Sequence, residues 1–206
     1  MENPSLFLTA KNIACIKGSL VLFRKLSFDL GAGQLLWLRG PNGIGKSSLI
    51  RILANLAKPS YGTLMLRDPA YFLLHYVSDQ AALHGEMSVA ENLGHWLKLM
   101  GGSTKNIEEA KEQFSLGDFW HVKARYLSFG QRKRASLARL LLKFRPLWLL
   151  DEPLVGLDTN AQEAVLALMQ KHRNRGGSIL ITSHQAFTSD VIDNLDLRQY
   201  AARRFL

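Results

Sequence analysis

Residues Gln34–Arg39 read QLLWLR, and Gly40–Ser47, directly after them, read GPNGIGKS. The first stretch is almost wholly apolar and closes on a charge. That is the pattern of a strand buried on both faces, in a parallel sheet covered by helices. The second matches the glycine-rich pattern G-x-x-x-x-G-K-S/T. A helix starts inside it, because Lys46–Lys58 sets Leu49, Leu53 and Leu56 at i, i+4 and i+7. A strand, a glycine loop and a helix in that order open an α/β fold. Two further apolar runs, Leu147–Asp151 (LWLLD) and Ser178–Thr182 (SILIT), read as strands of the same sheet. Ser128–Phe144 reads as a long helix, with Leu137, Leu140, Leu141 and Phe144 on one face and Arg132 and Arg139 opposite.

Working outward, Leu6–Ile16 and Leu20–Leu30 alternate in polarity and run into Gly31-Ala32-Gly33. They predict an antiparallel β meander at the N-terminus, joined to the mostly parallel sheet. Met87–Met100 and Thr104–Ser115 look helical, are separated by Gly101-Gly102, and no strand signal intervenes before Leu127. The organisation expected is therefore one domain over 1–206 whose α/β core carries a small inserted helical lobe at about 86–127.

The chain has 206 residues, with 26 Lys and Arg against 17 Asp and Glu, a formal net charge of +9. A chain of this size buries roughly 70% of its unfolded surface and needs no cross-links to hold a core. Hydrophobic residues at 47% and charged residues at 21% exclude disordered, collagen-like and coiled-coil classes. Cys15 is the one cysteine, so no internal disulfide forms, which suits a reducing compartment. No apolar run approaches the ~20 residues of a spanning helix, and Met1–Pro4 does not open a secretory signal. A soluble intracellular domain with a basic surface is expected. Its charge leaves nucleic acid, an anionic membrane surface and phosphorylated small molecules open as partners.

The residue types of Gly40–Ser47 fit the last of these. Glycines let backbone N–H groups curl around phosphate oxygens, and the following helix points its positive end at the same anion. Lys46 brings a charge to β- and γ-phosphates, and the Ser47 hydroxyl can ligate Mg²⁺. The whole loop, with Pro41, Asn42, Gly43, Ile44, Gly45 and the following Ser48, is the candidate ATP cradle. The strand Leu147–Leu150 ends in Asp151-Glu152. Ligands of open α/β sheets bind at such carboxyl ends. Asp151 there would hold Mg²⁺ through a water, and Glu152 would polarise the water attacking the γ-phosphate. Taken alone, the pair reads equally well as a turn after the strand, helped by Pro153.

The third element is Leu127-Ser128-Phe129-Gly130-Gln131, which opens the basic helix. Phosphate loop, LSFGQ and LLDEP in this order resemble the ATPase subunit of an ATP-binding cassette (ABC) transporter. Gln80 resembles that family's Q-loop glutamine, Leu157-Asp158 its D-loop, and His184 in Ile181-Thr182-Ser183-His184 its switch histidine. The resemblance implies a homodimer with ATP sandwiched between the phosphate loop of one chain and LSFGQ of the other. Ser128, Gly130, Gln131 and Asp158 would then touch ATP in trans. Glu152, His184 and Gln80 would act in catalysis, and Ser47, Gln80 and Asp151 would hold Mg²⁺. His75, His84, His95, His121 and His172 show no metal spacing and read as surface or packing residues. The chain departs from the family in two respects: first, no aromatic residue stands near Ile16–Gly18 to stack on adenine. Second, it ends its loop in Ser47-Ser48, which keeps a hydroxyl at both positions.

Among minimal members the chain most resembles the CcmA family, the haem exporter ATPases of cytochrome c maturation. LRGPNGIGKSSLIRILANL, SVAENL, LSFGQRKRASLARLLL, LWLLDEPLVGLD and ITSHQ carry this likeness. It implies ATP hydrolysis coupled to transport, integral membrane partners of the CcmB and CcmC type, and a peripheral place on the cytoplasmic face of the inner membrane. No direct haem binding is expected, since there is no C-x-x-C-H. A stripe of Met87, Val89, Leu93, Trp96, Leu97 and Met100 either grips a partner's cytoplasmic helix or packs inward as the lobe's core. The Arg132-Lys133-Arg134 cluster is expected near the dimer's nucleotide. Arg198, Arg203 and Arg204 face lipid headgroups or form a solvated tail. The competing readings are the ATPase of a lipid, lipoprotein or drug transporter, and an ABC ATPase acting on nucleic acid. Nucleic acid is not expected, because the lobe is too short for a repair-type coiled coil and the chain too short for two cassettes.

Overall fold

The computed structural model describes residues 6–69, 73–183 and 193–201. It divides into two compact units. The first gathers the described residues of 1–76, 145–152 and 171–206, and the second those of 77–144 and 153–170.

The first unit holds two sheets. Strands β1 (Leu6–Lys17) and β2 (Leu20–Gly31) form a hairpin in which Lys17 faces Leu20, and Gly18 at φ 58° opens the two-residue turn. Strand β4 (Tyr61–Leu66) lies on the other side of β1, giving the antiparallel order β2-β1-β4. The expected antiparallel meander is present; what differs is that it forms a sheet separate from the parallel one, with a third strand that arrives only after the first helix. Leu64 and Leu66 of β4 are half-buried, so its alternation is faint in the sequence.

The second sheet contains β3 (Leu35–Arg39), β5 (Leu74–Val77), β6 (Leu147–Leu150), β7 (Ser178–Thr182) and β8 (Asp193–Asp196) in the order β5-β6-β7-β3-β8. β7 runs parallel to β6 and to β3, and β3 runs parallel to β8. Every residue of β6 and β7 is buried, the burial their unbroken apolar runs require. Against this sheet α1 (Lys46–Leu53) buries Leu49, Ile50, Ile52 and Leu53. Each such side chain contributes about 1.5–3 kcal/mol.

Helix α1 is shorter than the predicted Lys46–Lys58. Asn55 adopts φ 58°, the N–H of Leu56 returns to the Arg51 carbonyl and that of Asn55 to Ile52. This is a left-handed Schellman stop, and it leaves Leu56 60% exposed, off the predicted apolar face.

The second unit is helical: α2 (Val89–Met100), α3 (Thr104–Gln113), α4 (Phe129–Leu137), α5 (Arg139–Leu142) and residues 159–170 of α6 (Thr159–Asn174). Ser88 starts α2 with a reciprocal capping box to Glu91, and Gly101 at φ 70° ends it. Val89, Leu93 and Leu97 are buried, while Met87, Trp96 and Met100 are half-buried, so most of the stripe turns into the unit. The predicted helix Ser128–Phe144 is two helices. The chain tightens at Ala138, where the Leu141 N–H bonds the Ala138 carbonyl. Two further assignments change with it. Phe144 is exposed, and Arg139 is buried, its Nε donating to the Ser136 carbonyl and its guanidinium lying 4.7 Å over the Trp96 ring. Burial lowers the Arg139 pKa to about 10, which leaves it cationic at neutral pH.

Asn92 ties this unit's entry loop to α2. Its Oδ1 accepts from the His84 N–H, and its Nδ2 donates to the carbonyls of His84, Met87 and Ser88. Asn92→Ala removes these bonds from a buried site. It is expected to cost roughly 2–4 kcal/mol, read as a lower urea midpoint at unchanged slope.

Candidate active site

The first unit's described candidate groups lie at the carboxyl ends of its parallel strands. The phosphate loop follows β3, Asp151-Glu152 follow β6, and Thr182-Ser183 end β7, which lies between those two strands. Adjacent strands are about 4.8 Å apart, so the β3 and β6 ends stand roughly 10 Å apart, the scale of a nucleotide's phosphate tail.

The loop is shaped by its glycines. Gly45 sits at φ 116°, and a Cβ there would come within 3.2 Å of the Phe23 ring and 3.3 Å of Leu22. The side chain of Ile44 is buried and anchors the loop from beneath, while Pro41, Asn42 and Gly43 are exposed. Gly45 caps α1 without a side-chain hydrogen bond, and no acidic residue occupies the first turn. The first N–H groups of α1 are therefore left for an external anion. Lys46 Nζ donates to the carbonyls of Gly40 at 2.8 Å and Pro41 at 3.3 Å, which lays its charge along the cradle. Ser47 is exposed and Ser48 half-buried.

Asp151 is 2% exposed. Its Oδ1 accepts from the Thr182 hydroxyl at 2.7 Å, and that hydroxyl in turn accepts from the Glu152 N–H at 2.9 Å. Asp151 Oδ2 is buried with no hydrogen-bond partner among the described residues. A buried carboxyl oxygen left so is costly, and a water or a cation is what such an atom calls for. The donor set fits Mg²⁺, which takes carboxylate, hydroxyl and water oxygens. Glu152 stands at φ 48°, a left-handed backbone that side-chain-bearing residues seldom adopt outside sites that hold them there. Trp37 Nε1 donates to the Ser183 carbonyl at 3.3 Å and fixes the end of β7. His184 lies outside the described residues.

The second unit holds the remaining candidates. Ser128 caps α4 in a capping box: its hydroxyl accepts from the Gln131 N–H, and the Gln131 side chain accepts from the Ser128 N–H. A Cβ on Gly130 would meet the Gly156 carbonyl at 2.7 Å, and one on Gly156 would overlap the Phe129 ring. LSFGQ and the loop before Asp158 are thus packed on each other. Asp158 is exposed, and its Oδ1 accepts from the Ala161 N–H at the start of α6. Gln80 is exposed, with its backbone held by Asp79 and Ser78.

The basic cluster beside Gln131 is corrected in part. Lys133 is buried, and its Nζ donates to the Ser78 carbonyl, so its charge points into the unit. Of the five histidines read as surface or packing residues, His84, His95 and His121 are exposed and His75 is buried. His172 stacks on Trp148 at 3.8 Å, and burial lowers its pKa to about 4. Arg198 pairs with Asp196, while Arg203 and Arg204 lie outside the described residues.

Sequence reasoning missed Thr182 and Phe129. The signal for Thr182 was a lone hydroxyl closing an otherwise apolar buried strand. For Phe129 it was a large aromatic residue inside a glycine-bearing loop.

Residues 23–155 match the family described as ABC transporter. The chain is 42% identical over 193 residues to the cytochrome c biogenesis ATP-binding export protein CcmA of Novosphingobium aromaticivorans, covering 94% of this chain and 96% of that one. It is 39% identical over 188 residues to the protein of the same name from Rhizobium meliloti, covering 86% and 91%. Among solved structures, the dimeric post-hydrolysis state of an ATP-binding cassette bound to ADP and Pi superposes with a TM-score of 0.78 at 22% identity, over 86% of this chain and 88% of that one. At that identity the likeness is one of fold.

Proposed function

Because the chain belongs to the ABC transporter ATPases and, within them, to the cytochrome c biogenesis ATP-binding export proteins, we propose that it is the ATP-hydrolysing subunit of a membrane complex that exports or handles haem for cytochrome c maturation. The observation that carries the catalytic part is the buried, unsatisfied Asp151 Oδ2 at the carboxyl ends of the parallel strands, where the phosphate loop also lies. The cradle from Gly40 to Ser48 receives the triphosphate, with Lys46 exchanging its carbonyl bonds for β- and γ-oxygens. Ser47, Gln80 and Asp151 are the residues that would hold Mg²⁺, which neutralises charge building on the phosphates. Glu152 orients the attacking water, and His184 contacts the γ-phosphate.

A second copy completes the site in this reading. Its Ser128, Gly130, Gln131 and Asp158 close over the nucleotide, so one chain alone turns over slowly. Among the described residues no helix is long and apolar enough to cross a membrane. The cargo path is assigned to integral subunits of the CcmB and CcmC type, with this chain bound to them on the cytoplasmic face. Haem touches those subunits and not this one.

Deleting the gene should remove covalently bound haem from periplasmic c-type cytochromes, seen by haem staining of separated proteins, and an intact copy should restore it. Normal staining in the deletion strain would refute the haem pathway while leaving the ATPase reading standing.

A further inference from the structure

Residues Ile16–Gly18 themselves offer no ring on which a base could stack. Ile16 is half-buried, and Lys17 and Gly18 are exposed without an aromatic ring among them. Among the described residues exposed aromatic surface includes Tyr61 on β4, which is 69% exposed, and, beside LSFGQ, Tyr126 at 67% and Phe129 at 52%; the two at LSFGQ are those that a nucleotide held by a second copy would meet. The two differ in what they are free to do. Phe129 is set against Gly156 of its own chain. Tyr126 is held through Arg125. The Arg125 guanidinium lies 4.7 Å over its ring and donates through NH2 to its hydroxyl at 2.7 Å, while NH1 of the same group pairs with Glu86 at 2.6 Å. Lys123 joins Glu86 at 3.5 Å. The ring is thus fixed in orientation by Arg125 while most of its surface stays exposed.

Spacing favours the same residue. Leu127, buried and extended at φ −73° and ψ 145°, separates Tyr126 from Ser128. With Leu127 extended, the Cα atoms of Tyr126 and Ser128 stand about 7 Å apart, and the tyrosine side chain adds to that reach. A ring so placed lies at base range from a phosphate at Ser128, whereas Phe129 adjoins the phosphate itself.

We propose that Tyr126 is the stacking platform for the adenine of ATP held on the phosphate loop of a second copy of this chain. The inference rests on the sandwiched dimer proposed above and names the group that grips the base there. The base lies on the exposed surface of Tyr126, whose ring Arg125 holds. Because every base has a π-face, this platform grips purines with little discrimination.

The test uses the full chain carrying Glu152→Gln, so that ATP is not consumed. Sedimentation velocity with ATP should show a dimer. Adding Tyr126→Ala should weaken dimer formation about tenfold or more, the scale of one lost base stack per site. Tyr126→Phe and Tyr126→Trp should restore it, and ATP affinity of the dilute monomer should not change. Etheno-ATP, whose base fluorescence falls on stacking, should be quenched as the parent dimer forms. In Tyr126→Ala it should stay bright at chain concentrations high enough to dimerise. Equal dimerisation or equal quenching in Tyr126→Ala, or failure of Tyr126→Phe to rescue, would overturn the assignment. Absence of any ATP-driven dimer in the parent would overturn the sandwich itself and this proposal with it.

Discussion

Lys46→Ala is expected to weaken ATP binding by roughly 100-fold or more, the loss of charge-assisted bonds to two phosphates. In the structure Lys46 Nζ already lies along the cradle, bonded to the Gly40 and Pro41 carbonyls. Those bonds place the charge before nucleotide arrives, so little ordering remains to be done on binding. The remaining anion-binding groups are backbone N–H donors of the loop and the first turn of α1. They keep the phosphate's shape but not its counter-charge. Lys46→Arg should fall between the two, because the planar fork retains the charge and cannot mimic a compact ammonium inside a tight loop. Titration calorimetry with ATP, beside circular dichroism to show that the fold is kept, checks this. Unchanged affinity in Lys46→Ala would remove the phosphate-loop assignment.

The parts of the fold legible in sequence were those buried on two sides. QLLWLR, LWLLD and SILIT are apolar because β3, β6 and β7 are the three central strands of the parallel sheet, and their bounds differ from expectation by one residue at most. β8 was invisible for the opposite reason. Its DNLD is polar with only Leu195 buried, and it is a strand because β3 offers it a parallel partner. Helix ends were misjudged where backbone geometry overrides apolar spacing, as at Asn55 and at Ala138. Arg139 went to the wrong face because an arginine reads as polar until a Trp96 ring and a Ser136 carbonyl are found to receive it.

The candidate site divides the same way. The candidate roles of the loop glycines, Lys46 and the Asp151-Glu152 pair come from the sequence, the pair only in company with the loop, since alone it reads equally well as a turn. The link through Thr182 was not readable. It joins the ends of two strands far apart in sequence, and only the register of β6 with β7 brings that hydroxyl to Asp151. The fit of Phe129 to Gly156 is of the same kind, a long-range contact with no periodic signature.

Glu152→Gln should separate binding from turnover. The change keeps the side chain's size and removes its charge. The tether that places residue 152 is its own N–H bonded to Thr182 Oγ1, a main-chain contact that glutamine preserves together with the left-handed backbone. Geometry is therefore held while the capacity to take up or orient a proton from the attacking water is lost, a contribution of 10²–10⁴-fold in such reactions. Steady-state phosphate release should fall by at least ~100-fold. ATP affinity should hold or rise, because one negative charge beside the γ-phosphate is gone. ATP should accumulate unhydrolysed in a chain pair that no longer opens. Lys46→Ala loses binding and turnover together, whereas Glu152→Gln loses only turnover, and the contrast assigns the two residues to successive steps. Turnover at the unsubstituted rate would show that the attacking water is activated elsewhere. Thr182, whose hydroxyl joins the Asp151 carboxylate to the Glu152 backbone, would then be the first group to examine.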